Sequence, residues 1–129
     1  MRNFNKAKNF YKNTEKSSLQ SQDPIAIVKN MVGELKRSMD KVITSTGIDS
    51  QRQFRAKYFS RSLVIIYTLQ TTLDFEKGEK LAAKLFQLYE FCRQQLIKCF
   101  REQVIEGLKK AMKALEEVFI INQISKNER

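Results

Sequence analysis

Cys92 and Cys99 are the only thiols in the chain, and no histidine accompanies them. On a helix their spacing sets the two Cα atoms roughly 10 Å apart, beyond the span of a disulfide. Both fall on the apolar side of the segment that carries them, so they read as reduced core thiols. Two cysteines without a close third ligand do not make a zinc site. The carboxylate pairs Glu116-Glu117 and Glu102/Glu106 fall where solvated helix faces are expected. A di-metal site in a helical bundle draws on Glu-x-x-His, which a chain without histidine cannot supply. There is no glycine-rich phosphate loop and no GxSxG elbow. Catalysis needs a positioned base or nucleophile and a neighbour that tunes it. The residue inventory therefore points away from an enzyme, with no metal and no cofactor.

The cations are the second chemical feature. The net charge is +10, and it is unevenly placed. Residues 1–22 hold Arg2, Lys6, Lys8, Lys12 and Lys16 against Glu15 alone, and residues 51–73 hold Arg52, Arg55, Lys57 and Arg61 with no acid. Such a balance suits nucleic acid, an acidic membrane surface or an acidic protein partner. Phe54 and Tyr58 interleave with the second group. Cations can grip phosphates and aromatics can stack on bases. These two aromatics, however, continue into the apolar stripe of the same segment, which reads as the edge of a core. No known nucleic-acid recognition module is present, so nucleic acid is the weaker reading.

These residues sit on long periodic segments. Proline occurs once and glycine four times, which leaves few turn signals, and 42% of residues are hydrophobic, enough for one core. Residues 1–22 are polar and basic and read as a mobile arm. The opening MRNFNKAKNFYKN has no apolar centre, so a secretory signal is not expected. No apolar run approaches the roughly 20 residues of a membrane helix.

Asp23-Pro24 is a helix start, since Asp can cap and Pro suits the first helical position. The first helix runs to Thr46 along a seam of Ile25, Val28, Val32, Leu35, Met39 and Val42, and Gly47 stops it. The second spans Ser50 to Leu73; periodicity on both sides makes Val64-Ile65-Ile66 helical rather than a strand. A turn at Asp74 to Gly78 leads to the third, Glu79 to Phe100. The fourth covers Glu102 to Gln123 on a seam of Val104, Leu108, Ala111, Leu115 and Val118. Gly107 inside it costs up to about 1 kcal/mol relative to Ala. The expected fold is all-α: an antiparallel four-helix bundle over residues 23–124, with a flexible N-terminal arm and a frayed tail at 125–129.

Every helix carries apolar residues outside a strict two-position seam. The third helix is the clearest case. Leu81, Leu85, Leu88, Cys92 and Cys99 form one line, and Phe86, Tyr89, Leu96 and Phe100 lie beside it. Wide stripes suit an ordinary globular bundle, and they also suit a groove that takes an apolar partner segment.

The same stretch resembles the FliS family of flagellar secretion chaperones. Leu69, Thr72, Leu73, Asp74 and Gly78 resemble the family's "TLD…GG" turn. Leu85, Leu88, Tyr89 and Leu96-Ile97 resemble its "NL..LYdYm.rrLi.AN" helix. Ser62 to Ile66 resembles "A..II", and Pro24 to Met31 resembles "SP..L...L". Phe10-Tyr11 resembles a short N-terminal motif containing a Tyr. The chain departs from the family at Asn30 to Leu35, where "MLYDGA" would stand. Glu79 replaces one glycine of the turn, the terminal Trp is absent, and the strong positive charge is unusual.

The resemblance implies a cytoplasmic, non-enzymatic bundle. It would hold the disordered C-terminal segment of flagellin until export through the flagellar type III apparatus, preventing premature polymerisation. The flagellar export apparatus is a further implied partner. The expected form is a monomer able to self-associate, without membrane insertion. Candidate groove residues are the apolar positions off the seams: Ile27, Met31, Phe59, Leu63, Ile66, Phe86 and Tyr89. Some of these must be core. Phe10 and Tyr11 of the arm are expected to cover the groove when no client is bound. The alternative is a basic helical module binding nucleic acid or another protein.

Overall fold

The computed structural model describes the backbone of residues 24–74 and 78–127 and the side chains of residues 25–74 and 78–118. Helix α1 spans Pro24–Ser45, a short 3-10 turn covers Asp49–Gln51, α2 spans Arg52–Thr71, α3 spans Glu79–Glu102 and α4 spans Glu106–Asn127. No strand occurs among the described residues, and Val64-Ile65-Ile66 lies within α2. The expected arm, with Phe10 and Tyr11, lies outside the described residues, as does most of the turn between α2 and α3.

The helix ends follow from local chemistry. α1 stops where Gly47 takes a φ of 84°, a left-handed conformation that glycine adopts without strain. α3 stops without a glycine: Gln103 takes a φ of 59°, and its N–H donates to the Cys99 carbonyl at 2.9 Å. The last helix therefore starts at Glu106, four residues later than the sequence pattern indicates, and it continues past Gln123 to Asn127. Gly107 also has a reason to be glycine. A Cβ there would stand 1.8 Å from Gln95 Oε1, so α4 approaches α3 across a position with no room for a side chain unless that carboxamide swings away.

Cross-helix contacts fix the topology. Arg55 of α2 donates to the Ser45 carbonyl, while Lys41 of α1 donates to Tyr58 Oη at 3.3 Å. Moving up one helix means moving down the other, so α1 and α2 are antiparallel. The pairs Phe59–Phe100 and Gln70–Glu90 give α2 and α3 the same relation. α1 packs most extensively on α2, α3 packs on both α2 and α4, and α1 meets α4 to close the ring. The molecule is an antiparallel four-helix bundle.

Its core takes Leu35, Met39 and Val42 from α1, Ile65, Ile66 and Leu69 from α2, Tyr89, Cys92, Leu96 and Cys99 from α3, and Leu108, Ala111 and Leu115 from α4. Burying each large aliphatic group contributes about 1.5–3 kcal/mol. Both cysteines are free and buried, and burial pushes the Cys92 thiol up to about 12. Three expected seam positions are displaced from this core. Ile25 is exposed in the first turn of α1, Leu81 is exposed in the first turn of α3, and Val104 is exposed in the link before α4. All three sit at helix ends, where the ring of neighbours is incomplete.

Candidate apolar docking face

α2 meets its two neighbours in different ways. Toward α1 the contact is close and carries small residues: Ser38, Ser45 and Ser62 are all buried. Ser45 Oγ donates to the Lys41 carbonyl at 2.7 Å and Ser62 Oγ to the Tyr58 carbonyl at 2.8 Å. The Ser45 and Ser62 hydroxyls are thus satisfied within their own helices. Arg55 crosses this boundary and is 8% exposed. Its Nη1 donates to the carbonyls of Ser45 and Ile48. Both carbonyls also accept a backbone N–H, from Ile48 and from Gln51, so the guanidinium adds a charged second donor at the carbonyl end of α1, where positive charge suits the helix dipole.

Toward α3 the contact is looser and its outer rim is aromatic. The rings of Phe59 and Phe100 stack with centroids 4.2 Å apart and planes 12° apart. Phe100 is exposed, while Phe59 and Leu63 are half-buried. At the other end Phe86 is 37% exposed. Gln70 Nε2 bridges the two helices there, donating to the Phe86 carbonyl at 3.3 Å and to Glu90 Oε2 at 3.2 Å. Arg93 forks onto Glu90, with Nε donating to Oε1 at 3.0 Å and to Oε2 at 3.1 Å. That bonding, with help from Gln70, holds the Glu90 carboxyl below the usual range despite partial desolvation. The face therefore has apolar ends at Phe59, Leu63 and Phe100 and at Phe86, with a polar clasp between them. It can bind apolar side chains in two places and offer polar groups to the chain that joins them.

The seven groove candidates divide accordingly. Phe59, Leu63 and Phe86 lie on the α2–α3 face. Met31, Ile66 and Tyr89 are buried core residues, the last with its phenol pushed up to about 12 by desolvation. Ile27 is half-buried on α1, apart from the α2–α3 face, and packs against the core. The groove expected from sequence thus does not gather all seven side chains on one open surface, because a wide stripe contains both the core line and its margin. Phe100 was not among the candidates. Its signal was available, since Phe86 and Phe100 lie four helical turns apart and share a side of α3. The clasp of Gln70, Glu90 and Arg93 had no comparable signal.

The basic residues of α2 also separate. Arg55 is structural. Lys57 and Arg61 stay near the surface with Lys41 of α1, all three cations lying over the Tyr58 ring. Phe54 rests on that ring at 4.8 Å and 58°, so the two aromatics do not present parallel faces for bases. Among the described residues no group of His, Cys, Asp and Glu could hold a metal ion, and no helix is long and apolar enough to cross a membrane.

No curated protein and no solved structure matches the chain. A family model does: the one described as "Flagellar protein FliS" matches residues 5–120. That span takes in all four helices up to the second half of α4, including both sides of the aromatic face. The chain belongs to the FliS family, and it is a flagellar chaperone.

Proposed function

We propose that this chaperone binds the disordered C-terminal segment of flagellin along the α2–α3 face, in the cytoplasm, and hands it to the flagellar type III export apparatus. The observation that carries the reading is the half-exposed aromatic rim, in which Phe59 and Phe100 stack across the helix boundary with Leu63 beside them. A lone exposed aromatic is ordinary, whereas a stacked pair at an inter-helix boundary offers a continuous apolar surface. A flagellin terminus has apolar faces that pair with other subunits in the filament. Covering them on the bundle keeps the client monomeric and unfolded enough to export. No step of this role requires catalysis.

The arm gives the face a gate. Phe10 and Tyr11 form a pair of adjacent large aromatics in a basic segment, and they cover the groove when no client is present. The client must then displace them, and apparent affinity falls by the fraction of molecules with the face open. Titration of a flagellin C-terminal peptide tests both parts. The intact chain should bind the peptide and slow flagellin polymerisation. A chain lacking residues 1–20 should bind more tightly, through a faster on-rate. Absence of binding to the intact and the shortened chain alike refutes the flagellin reading. Weaker binding by the shortened chain alone refutes the gate and makes the arm a direct client contact.

A further inference from the structure

The cations on the other flank of α2 have no part in that role. Lys41 Nζ lies 4.3 Å from the Tyr58 ring centroid, Lys57 Nζ 5.4 Å and the Arg61 guanidinium carbon 5.8 Å. Three positive groups on two helices are thus drawn around one aromatic. Three cations elsewhere are paired, Lys36 with Glu116 at 3.2 Å, Arg37 with Glu34, and Arg93 with Glu90. Others such as Lys80, Lys84 and Lys109 stand in no ion pair among the described residues but are not gathered around a ring. Lys41, Arg52 and Lys57 form no ion pair among the described residues. Residues 51–73 contain no acid that could supply one. Cation–π attraction to the Tyr58 ring offsets part of the mutual repulsion, but a ring has no net charge. An incoming carboxylate would relieve the rest. The Tyr58 phenol registers the same field, its pKa being lowered first by the hydrogen bond from Lys41 and further by the three positive charges.

We infer that Lys41, Lys57 and Arg61, with the exposed Phe54 beside them, form a second docking surface that takes an acidic protein segment carrying an apolar side chain. Three observations fit this occupant. The charge is complementary, and Lys41 and Lys57 stand in no ion pair among the described residues. Phe54 is 41% exposed at the edge of the cluster and offers an apolar contact next to the charged one. The cations also converge on one ring instead of tracking along a helix, which suits a short run of carboxylates better than a phosphate backbone. The surface faces α1, whereas Phe59 and Phe100 face α3, so one molecule can hold client and acidic partner together. Such a partner would be recruited fast at low salt and released as salt rises.

The test titrates the full-length chain with a labelled peptide of Asp and Glu containing one Phe. A Gln/Asn version of the peptide and a single-stranded DNA of similar charge are titrated in parallel. Two variants remove equal charge: K41Q/K57Q/R61Q at the cluster, and K109Q/K110Q/K113Q on the exposed side of α4. A third, K57Q/R61Q, keeps the Lys41–Tyr58 hydrogen bond in case the first loses stability, and melting temperatures are read for all three. The acidic peptide should bind the intact chain, weaken at least about tenfold in the two cluster variants, and change little in the α4 variant. The neutral peptide should not bind. Equal losses in the cluster and α4 variants would mean diffuse attraction to a basic protein and overturn the site. Tighter binding of the DNA, lost in the cluster variants, would overturn the acidic-protein occupant in favour of nucleic acid.

Discussion

The two sides of α2 solve opposite problems. Against α1 the helix is packed closely, with three buried serines at the boundary and a buried arginine tying the end of α1 down. Against α3 it leaves aromatic side chains half in solvent and uses a polar clasp where more apolar packing would have closed the gap. A bundle that must stay folded while exposing an apolar face needs this division. Stability is concentrated on one side of a helix so that the other can remain unfinished. Substitutions on the α1 side should therefore unfold the protein, and those on the α3 side should change what it binds.

The largest effect is expected at Arg55. Arg55→Ala would take the charged donor from the Ser45 carbonyl at the end of α1 and the Ile48 carbonyl just beyond it, at a cost of about 1.5–3 kcal/mol. Urea unfolding should show the midpoint fall with an unchanged slope, and the folded fraction should bind flagellin peptide normally. Arg55→Lys should recover part of the loss, since it restores charge but not the forked donor.

The complementary variant is Leu63→Asp. It places a charge in the aromatic face at a half-buried residue whose inner side packs on the core, so flagellin peptide should bind about tenfold more weakly or worse, equivalent to about 1.4 kcal/mol. The melting temperature should fall less than for Arg55→Ala, because the Asp carboxylate at half-buried Leu63 can reach solvent, and Phe86→Asp, at an exposed residue that does not pack on the core, should move it little. Unfolding of this variant, with Phe86→Asp unfolding as well, would erase the distinction between the two sides.

That distinction was only partly legible in the sequence. The four helices were, because Pro24, Gly47 and Gly78 fall at helix ends and the apolar residues keep a helical period. Burial of both cysteines was legible for the same reason. The break at Gln103 was not, since a non-glycine residue takes the left-handed position there and nothing in its type announces it. Arg55 looked like one of four surface cations. Its position three residues before Tyr58, on the stripe that continues through Ser62 and Ile65, was the clue that it faces inward. Sorting Ile66 and Tyr89 from Phe59 and Phe86 was beyond the pattern. All four lie on wide apolar stripes, and only the angle between neighbouring helices decides which ones are covered. Gly107 read as a weakness in α4, whereas its missing side chain is what lets Gln95 lie against it.

A smaller effect is expected at the thiols. Cys92→Ala or Cys99→Ala removes one buried sulfur and should cost about 1–2 kcal/mol. Peptide binding should persist at temperatures where the variant is folded. Loss of binding in a folded variant would reveal a thiol role on neither side of α2.

The smallest effect belongs to the clasp. Arg93 first and Gln70 with it hold the Glu90 carboxyl below its ordinary value of 4.5 in the folded state. Its contribution is therefore fully present above that value and is lost as pH falls through the lower folded pKa. As a partly exposed i,i+3 ion pair it is worth about 0.2–1 kcal/mol. Glu90→Gln should cost no more than this at neutral pH, and the difference from the unsubstituted chain should vanish in acid. A difference that persists in acid would mean that the clasp acts through packing and not through charge.

The central claim, that the client lies on the α2–α3 face, is tested most directly by position-specific photo-crosslinking. A photoreactive amino acid is placed in turn at Leu63, at Phe86 and at exposed Thr44 on α1, and each variant is irradiated with flagellin C-terminal peptide. Crosslinks are expected from Leu63 and Phe86 and none from Thr44. A crosslink from Thr44 with none from Leu63 or Phe86 would put the client elsewhere on the bundle and contradict it.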